Sequence, residues 1–269
     1  MALLRLQGLS RAFGGVRAVD GVDLQVARGS IHGLIGPNGA GKTTAFNLIS
    51  GLMPASQGAI FLEDLDITHD PAHVRVRKGI CRTFQTPRLF EDMSAIETVM
   101  TGRHIHGRIG FLGSMLRFGA KNAEERDAHH RAMALLDRVG LGRESETLAR
   151  NLSYGHRRVL EIARALAAEP RLLLLDEVTA GLNPIETKQV AQLIRGIVAE
   201  GVTVVLVEHD MRFVMSLCSE ITVLNFGQVI ATGNPDEITS NPEVVAAYLG
   251  RSKGAPTFRR RRAAEQHDG

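Results

Sequence analysis

A glycine-rich stretch at residues 36–44 reads G-P-N-G-A-G-K-T-T and matches the phosphate-binding pattern G-x-x-x-x-G-K-[ST]. It follows the apolar run Ile31–Ile35 and opens a segment of helical composition, which is the context that this motif requires. Its glycines leave the backbone free to curl, so that successive N–H groups and the next helix N-terminus can converge on phosphate oxygens. We therefore expect phosphate binding by Gly36, Pro37, Asn38, Gly39, Ala40, Gly41, Lys42, Thr43 and Thr44.

The last three residues of the motif have side chains that can act on a nucleotide. Lys42 adds a mobile cation, and the Thr43 hydroxyl can bind a Mg²⁺ ion that bridges the terminal phosphates. Thr44 is expected toward the α-phosphate. The competing interpretation is a glycine-rich turn with a surface lysine, and the strand before and the helix after the motif argue against it.

Two adjacent carboxylates form a second chemical signal. Asp176 and Glu177 directly follow the apolar run R-L-L-L-L, which begins at Arg171. Open α/β sheets bind ligands at the carboxyl ends of their strands, where two acids need a cation. Asp176 can help to hold Mg²⁺, and Glu177 can polarise a water for attack on a phosphate. Alone, the pair would be read as a charged turn, but the phosphate-binding motif in the same chain favours catalysis.

Short apolar strands alternate with helical segments, which predicts an α/β fold with a mainly parallel central sheet. Two hydrophobic runs, at residues 171–175 and 202–207, lack polar alternation and are expected as central strands covered by helices on both faces. Residues 90–168 contain no convincing strand and predict an inserted helical subdomain. The other predicted strands are residues 3–9, 22–26, 31–35, 221–225 and 228–232.

Charge and composition limit the classes of partner. The net charge of +3 comes from the end of the chain, because residues 251–269 hold six Lys or Arg against two acids. We therefore expect no nucleic-acid partner, one domain at residues 1–250, and a basic tail at 251–269. The tail is either a disordered, solvated end or an anchor for anionic lipid or a partner.

No targeting or membrane-spanning signal is visible in the sequence. It has no run of about 18 apolar residues and no apolar core of a signal peptide near Met1, so a cytoplasmic location is expected. Cys81 and Cys218 lack metal-site or disulfide spacing and are expected as reduced core thiols. The apolar, basic segment 104–122 is either a surface loop with a short buried helix or a segment that touches the membrane or a membrane partner.

Residues 151–158 read N-L-S-Y-G-H-R-R and precede the predicted strand that leads into Asp176 and Glu177. With this segment the chain resembles the ATP-binding subunits of ABC transporters, whose signature L-S-G-G-Q stands here as L-S-Y-G-H. The resemblance covers nearly all of residues 1–250. It implies ATP hydrolysis with Mg²⁺ and a phosphate-loop ATPase core that carries an antiparallel β subdomain and the inserted α-helical subdomain.

The resemblance also implies roles for five further residues. Phe13 is similar to the aromatic on which adenine stacks, although it could be a core residue. Gln85 is similar to the glutamine that contacts Mg²⁺ and the attacking water, and His209 to the histidine that holds the γ-phosphate near the catalytic glutamate. In this family two ATPase subunits pack head to tail, so Ser153 and Gly155 would complete the site of the partner.

Finer resemblance favours one group of transporters. Residues 82–90, 180–184, 207–211 and 233–250 are similar to importers of branched-chain amino acids. The alternatives are urea or amide importers, lipopolysaccharide or lipid exporters, a soluble ABC ATPase without a transport role, and a regulatory binder that does not hydrolyse ATP. His156, Val178 and Asn183 replace the family's usual Gln, Pro and Asp.

The importer interpretation implies a set of partners. They are a second ATPase subunit, identical or different, transmembrane permease subunits, and indirectly a periplasmic or extracellular substrate-binding protein. A groove near residues 86–99 is expected to receive the permease. The expected location is peripheral, on the cytoplasmic face of the inner membrane.

Overall fold

The computed structural model describes residues 1–86, 89–103 and 118–249, and for residues 118–125 and 249 it describes the backbone alone. Within these ranges, ten strands form two sheets. The strands are β1 (Ala2–Phe13), β2 (Val16–Ala27), β3 (Ile31–Ile35), β4 (Gln57–Leu62), β5 (Leu65–Asp66), β6 (Ile80–Arg82), β7 (Leu172–Asp176), β8 (Thr203–Val207), β9 (Glu220–Asn225) and β10 (Gln228–Gly233).

The larger sheet has the strand order β10-β9-β3-β8-β7-β6. Its strands pair in parallel from β9 to β6, and β10 alone pairs antiparallel, at one edge. This arrangement confirms the predicted mainly parallel sheet. Every residue of β7 and β8 is buried, as expected for central strands covered on both faces.

The smaller sheet, of order β2-β1-β4-β5, is antiparallel throughout and confirms the expected antiparallel β subdomain. Its first two strands extend beyond the predicted residues 3–9 and 22–26. The β1–β2 pairing contains register shifts, and Gly8 has a φ of 53°, so a bulge interrupts the alternation that marks a strand in a sequence. Strands β4, β5 and β6 were not predicted.

The described helices cover the parallel sheet and form a separate helical region. They are α1 (Lys42–Ile49), α2 (Ala72–Arg77), α3 (Ala95–Arg103), α4 (Phe118–Arg138), α5 (Tyr154–Leu166), α6 (Pro184–Ala199), α7 (Met211–Leu217), α8 (Pro235–Ser240) and α9 (Pro242–Leu249), with 3₁₀ turns at Gly142–Glu144 and Ala149–Asn151. Helices α3, α4 and α5 share one apolar cluster that includes Val99, Leu136 and Leu160. The predicted helical insertion contains these three helices.

Two further apolar clusters lie on opposite faces of the parallel sheet. Leu172 and Leu174 of β7 face the smaller sheet and α1, whereas Leu173 and Leu175 face helices that include α5 and α6. These leucines alternate between the two faces because successive side chains of a strand point to opposite sides of the sheet. The phosphate-loop helix is therefore packed between the two sheets.

Some predictions fall outside the described part of the chain. These are residues 104–117 of the apolar, basic segment, the tail at 251–269 and the boundary at residue 250. Among the helices that the structure describes, none combines the length and apolar character that a bilayer span requires. Cys81 and Cys218 are buried free thiols, and burial raises the pKa of each to about 12.

Candidate active site

The phosphate loop leads from β3 into α1 with a backbone that only glycine adopts easily. Gly36 and Gly41 have φ values of 151° and 104°. A Cβ at Gly36 would lie 2.1 Å from the Leu224 carbonyl oxygen, and one at Gly41 would lie 2.3 Å from that of Ala18. Both the backbone geometry and the close approach of β2 and β9 therefore require glycine at these positions.

Lys42 lies inside the curve of this loop. Its Nζ donates to the carbonyl oxygens of Gly36, at 2.7 Å, and Pro37, at 3.1 Å. Burial lowers the pKa of Lys42, and the nearby charges of Glu177 and Asp176 act in the opposite direction. Helix α1 begins at Lys42, and no side chain caps it at Gly41. Its first N–H groups are therefore available to an anion beside the ammonium group.

The Glu177 carboxylate contacts two side chains that come from different loops. Gln85 Nε2 donates to Glu177 Oε2 at 2.7 Å, and His209 Nε2 lies 2.7 Å from Glu177 Oε1. The backbone of Glu177 has a φ of 49°, a strained value for a residue with a side chain, and its N–H donates to the Val207 carbonyl oxygen. The structure thus brings together the three side chains that the sequence suggests for catalysis.

Asp176 points into a more buried environment than Glu177. Arg82 Nη2 donates to Asp176 Oδ2 at 2.7 Å, and Arg82 Nη1 donates to Asn47 Oδ1 at 2.6 Å. The side chains of Arg82 and Asp176 are 7% and 5% exposed. The buried Asp176 side chain is therefore paired with a buried cation.

Glu208 joins the loop after Glu177 to the loop that carries His209. Its carboxylate accepts hydrogen bonds from the Thr179 N–H and hydroxyl, both at 2.8 Å, and from the His209 N–H at 3.2 Å. Burial raises the pKa of Glu208, and these hydrogen bonds oppose that shift. The loop after Glu177 and the loop that carries His209 are therefore tied by one buried side chain.

Ser153 and Gly155 lie at the N-terminus of α5, against α6. Ser153 caps α5 by accepting from the His156 N–H at 3.1 Å. A Cβ at Gly155 would lie 2.6 Å from Glu186 Oε1, so the two helices approach closely there. Asn183 is the N-cap of α6 and forms a capping box with Glu186.

Two buried charges connect α5 to the segment that carries Gln85. Arg158 donates to the Phe84 carbonyl oxygen at 2.7 Å and also to the Gln85 carbonyl oxygen. Glu161 accepts from the Phe84 N–H at 3.1 Å. Both side chains are 1% exposed. The helix that begins at the signature segment therefore holds the backbone at Phe84 and Gln85.

Phe13 lies at the end of β1 and is 45% exposed. The Arg11 guanidinium carbon lies 5.1 Å from the centroid of its ring. The same hairpin contacts the phosphate loop, since Ala18 of β2 lies against Gly41. Phe13 is thus a partly exposed aromatic on the hairpin that borders the loop, which suits a ring that stacks on a ligand.

Sequence reasoning missed the contacts of Arg82, Arg158, Glu161 and Glu208. A signal was present in each case, because each charged residue adjoins an apolar run in a segment that should be buried. Buried charges are rare unless they are paired. The sequence does not show the partner, since Arg82 and Asp176 are 94 positions apart.

A mainly parallel sheet with a phosphate loop after β3, paired acids at the end of β7 and a histidine after β8, together with a helical insertion, defines an ATP-binding cassette. A family model described as "ABC transporter" matches residues 19–180. A second, described as "Branched-chain amino acid ATP-binding cassette transporter", matches residues 228–253. The chain belongs to the ABC transporter family. It binds ATP, and its hydrolysis of ATP is coupled to transport.

Curated relatives match almost end to end. The chain is 43% identical over 251 residues to the high-affinity branched-chain amino acid transport ATP-binding protein BraF of Pseudomonas aeruginosa, covering 93% of this chain and 98% of BraF. It is 41% identical to LivG of Escherichia coli, a protein of the same description, with the same coverage. It is 38% identical to the lipopolysaccharide export system ATP-binding protein LptB of Acidithiobacillus ferridurans, covering 92% and 97%.

Solved structures agree with the fold. A nucleotide-free ATP-binding cassette from an ABC transporter superposes with a TM-score of 0.82 at 30% identity, covering 93% of this chain and all of that one. A dimeric cassette in a post-hydrolysis state, bound to ADP and Pi, superposes with a TM-score of 0.73 at 25% identity, covering 86% and 98%.

Proposed function

We propose that the chain is the ATP-hydrolysing subunit of an importer for branched-chain amino acids. The observation that carries this proposal is the match of residues 228–253 to the branched-chain amino acid model, at a position outside the general ATPase match. The near-complete alignment with BraF supports it. Lipopolysaccharide export is the second candidate because of the likeness to LptB, at lower identity. Importers of urea or amides remain alternatives for the finer assignment.

We infer that ATP lies along the phosphate loop with its adenine against Phe13. Lys42 and the uncapped N-terminus of α1 provide positive charge for the β- and γ-phosphates. Thr44 is half-buried in the first turn of α1, and we propose that it faces the α-phosphate side. The loop contributes mainly backbone N–H groups. The residues proposed for this binding are Gly36, Pro37, Asn38, Gly39, Ala40, Gly41, Lys42, Thr43 and Thr44.

The available donors fit Mg²⁺ rather than a metal held entirely by the protein. Thr43, Asp176 and Gln85 offer a hydroxyl, a carboxylate and an amide oxygen, and Mg²⁺ prefers oxygen donors. Within the described residues, no group of three or more His, Cys, Asp or Glu side chains could hold a metal ion. This is typical of Mg²⁺, which keeps waters and substrate phosphates as ligands. When bound, it would neutralise charge that develops on the phosphates.

Glu177 is proposed as the general base for the attacking water. Both carboxylate oxygens already have a partner at 2.7 Å, Gln85 on one side and His209 on the other. These contacts orient the carboxylate, so that water placed between it and the γ-phosphate is near the geometry of attack. His209 is 48% exposed and can also reach the γ-phosphate from the loop after β8.

The signature segment is proposed to act on a second subunit. Ser153 is exposed at the N-terminus of α5, where its hydroxyl and the helix dipole can meet a γ-phosphate. Gly155 is the second residue proposed for this contact, and within the chain it lets Glu186 of α6 pack against this helix end. A dimeric structural neighbour supports the formation of a dimer, and the head-to-tail arrangement is what the family resemblance implies. The partner is a second ATPase subunit, identical to this chain or different.

A groove beside the helical region is the proposed contact for the permease. Its volume is about 860 Å³, and it is lined by Ser94, Ile96, Glu97, Met100, Arg126, His129, Glu146 and Leu148. It overlaps the predicted region at residues 86–99. Its apolar residues Ile96, Met100 and Leu148 are buried or half-buried, and its charged residues are exposed, which suits an amphipathic helix from a membrane protein. The chain would then lie on the cytoplasmic face of the inner membrane, with an external substrate-binding protein as an indirect partner.

Co-purification tests the proposal. The protein is isolated from native membranes with its permeases, and ATP hydrolysis by the reconstituted assembly is measured with binding protein and candidate solutes. Stimulation by leucine, isoleucine or valine, but not by urea, supports the proposal. Recovery of lipopolysaccharide-export components, or of a soluble complex with ribosomes or DNA, contradicts it.

A further inference from the structure

Arg82 connects the phosphate-loop helix to the strand that ends in Asp176. It lies at the end of β6, and its guanidinium bonds Asp176 Oδ2 at 2.7 Å and Asn47 Oδ1 at 2.6 Å. These two partners belong to α1 and β7. A single buried side chain from a third element therefore joins the two elements that border the proposed metal.

Two aromatic rings hold the guanidinium in place. The Arg82 guanidinium carbon lies 5.4 Å from the ring centroids of both Phe46 and Phe84. A planar guanidinium with fixed donors can bond two acceptors at once in a defined geometry, and an ammonium group cannot do so in the same way. The position of Arg82 is therefore constrained by packing as well as by its hydrogen bonds.

The contacts from Asn47 through Arg82 to Asp176 form a bridge that reaches the proposed metal ligands on both sides. Asn47 follows Thr43 by four positions in α1, so the two side chains lie on the same face of the helix. On the other side, Arg82 bonds one oxygen of Asp176. The second oxygen, Oδ1, is the one left for the metal.

We propose that Arg82 is a positioning residue for Mg²⁺. It fixes the Asp176 carboxylate through one oxygen, and through Asn47 it sets the separation between that carboxylate and Thr43. It also shares the negative charge of Asp176 with the metal. This inference rests on the proposed function, in which Asp176 and Thr43 take part in binding Mg·ATP.

The charge and the bridge have separable consequences. Replacing Arg82 by methionine leaves the full charge of Asp176 to the metal, so the Mg²⁺ concentration for half-maximal nucleotide binding falls about tenfold. The carboxylate is no longer held, so kcat falls by about 10²-fold. Arg82→Lys keeps the positive charge but loses one hydrogen bond of the bridge. We therefore expect the parent's Mg²⁺ concentration for half-maximal nucleotide binding, here called the Mg²⁺ requirement, and a kcat below that of the parent.

The experiment titrates Mg²⁺ into each protein with a fluorescent ATP analogue and measures thermal stability in EDTA and kcat. Asn47→Ala removes only the far end of the bridge, so we expect a reduced kcat with the parent's Mg²⁺ requirement. Cys81→Ala is the matched control, because it changes the packing of the same strand without contacting Asp176. It should lower the melting temperature and leave the Mg²⁺ requirement unchanged.

The opposite shifts in Arg82→Met, with tighter Mg²⁺ binding and slower turnover, are not expected of a residue that only supports the fold. If the parent binds and cleaves Mg·ATP and Arg82→Met has the parent's Mg²⁺ requirement and kcat, the role of Arg82 is overturned while the proposed function stands. If the parent itself shows no Mg²⁺-dependent ATP binding, the proposed metal site and this inference both fail.

Discussion

Replacing Glu177 by glutamine removes the proposed base while keeping its shape. In the parent, Oε2 accepts from Gln85 and Oε1 lies 2.7 Å from His209 Nε2. A glutamine keeps one acceptor oxygen for Gln85 and presents an amide N–H to His209, whose neutral ring can accept at Nε2. Both contacts of the ground state can therefore persist. The Glu177 side chain is only 17% exposed, so the small effect expected on stability rests on the survival of these two contacts.

The two expected magnitudes differ widely. General-base catalysis contributes about 10²–10⁴-fold, so kcat should fall by that factor, which corresponds to about 3–5 kcal/mol in activation free energy. The free energy of unfolding should change by about 1 kcal/mol or less. ATP affinity should be unchanged or higher, because the substitution removes one negative charge beside the phosphates. The repulsion between Glu177 and the buried Glu208 also disappears.

The assay compares ATP turnover, ATP binding and melting temperature for Glu177→Gln and for the exposed control Glu243→Gln. We expect the control to match the parent in all three. Turnover by Glu177→Gln at the parent's rate would remove Glu177 from the base role. A combined loss of ATP binding and stability would instead show that its charge supports the fold, contrary to the geometry.

Three further predictions concern stability and nucleotide affinity. Arg75 is 1% exposed and donates to four backbone carbonyl oxygens, two of them at the end of α1, so Arg75→Met should lower the free energy of unfolding in urea by about 3–5 kcal/mol. Burial lowers the pKa of His32 from 6.5 to about 4, so the folded state binds fewer protons than the unfolded state between these values. Stability should therefore be full above pH 6.5 and fall by about 3 kcal/mol toward pH 4, and urea melts of His32→Gln should show a shallower pH dependence. Phe13→Ala should raise the Kd for ATP in calorimetry by about two- to tenfold, because a stacked aromatic pair contributes about 0.5–1.5 kcal/mol.

The phosphate loop and the central strands were predictable because their signals are local. The motif at residues 36–44 carries its own context, and the hydrophobic runs of β7 and β8 are typical of strands covered on both faces. Strand β6 has three residues, which is too short to show periodicity. Its position becomes clear only from pairing with β7, which lies about 90 positions further along the chain.

The side chains proposed for catalysis were predictable as candidates, but their mutual contacts were not. Gln85 and His209 entered through a family resemblance, since a lone glutamine or histidine carries no pattern of its own. Their convergence on Glu177 depends on three loops at one edge of the sheet. The bonds from Arg158 to the backbone before and at Gln85 likewise depend on tertiary packing between α5 and β6.

Uptake of labelled leucine tests the central claim most directly. Cells that lack their own copy of this subunit are supplied with the parent or with Glu177→Gln, and accumulation of leucine, with urea as a comparison solute, is followed over time. We predict that the parent restores leucine uptake, that urea uptake is unaffected, and that Glu177→Gln restores none. Leucine uptake that is equal with the parent, the variant and neither protein would contradict the assignment as the motor of a branched-chain amino acid importer.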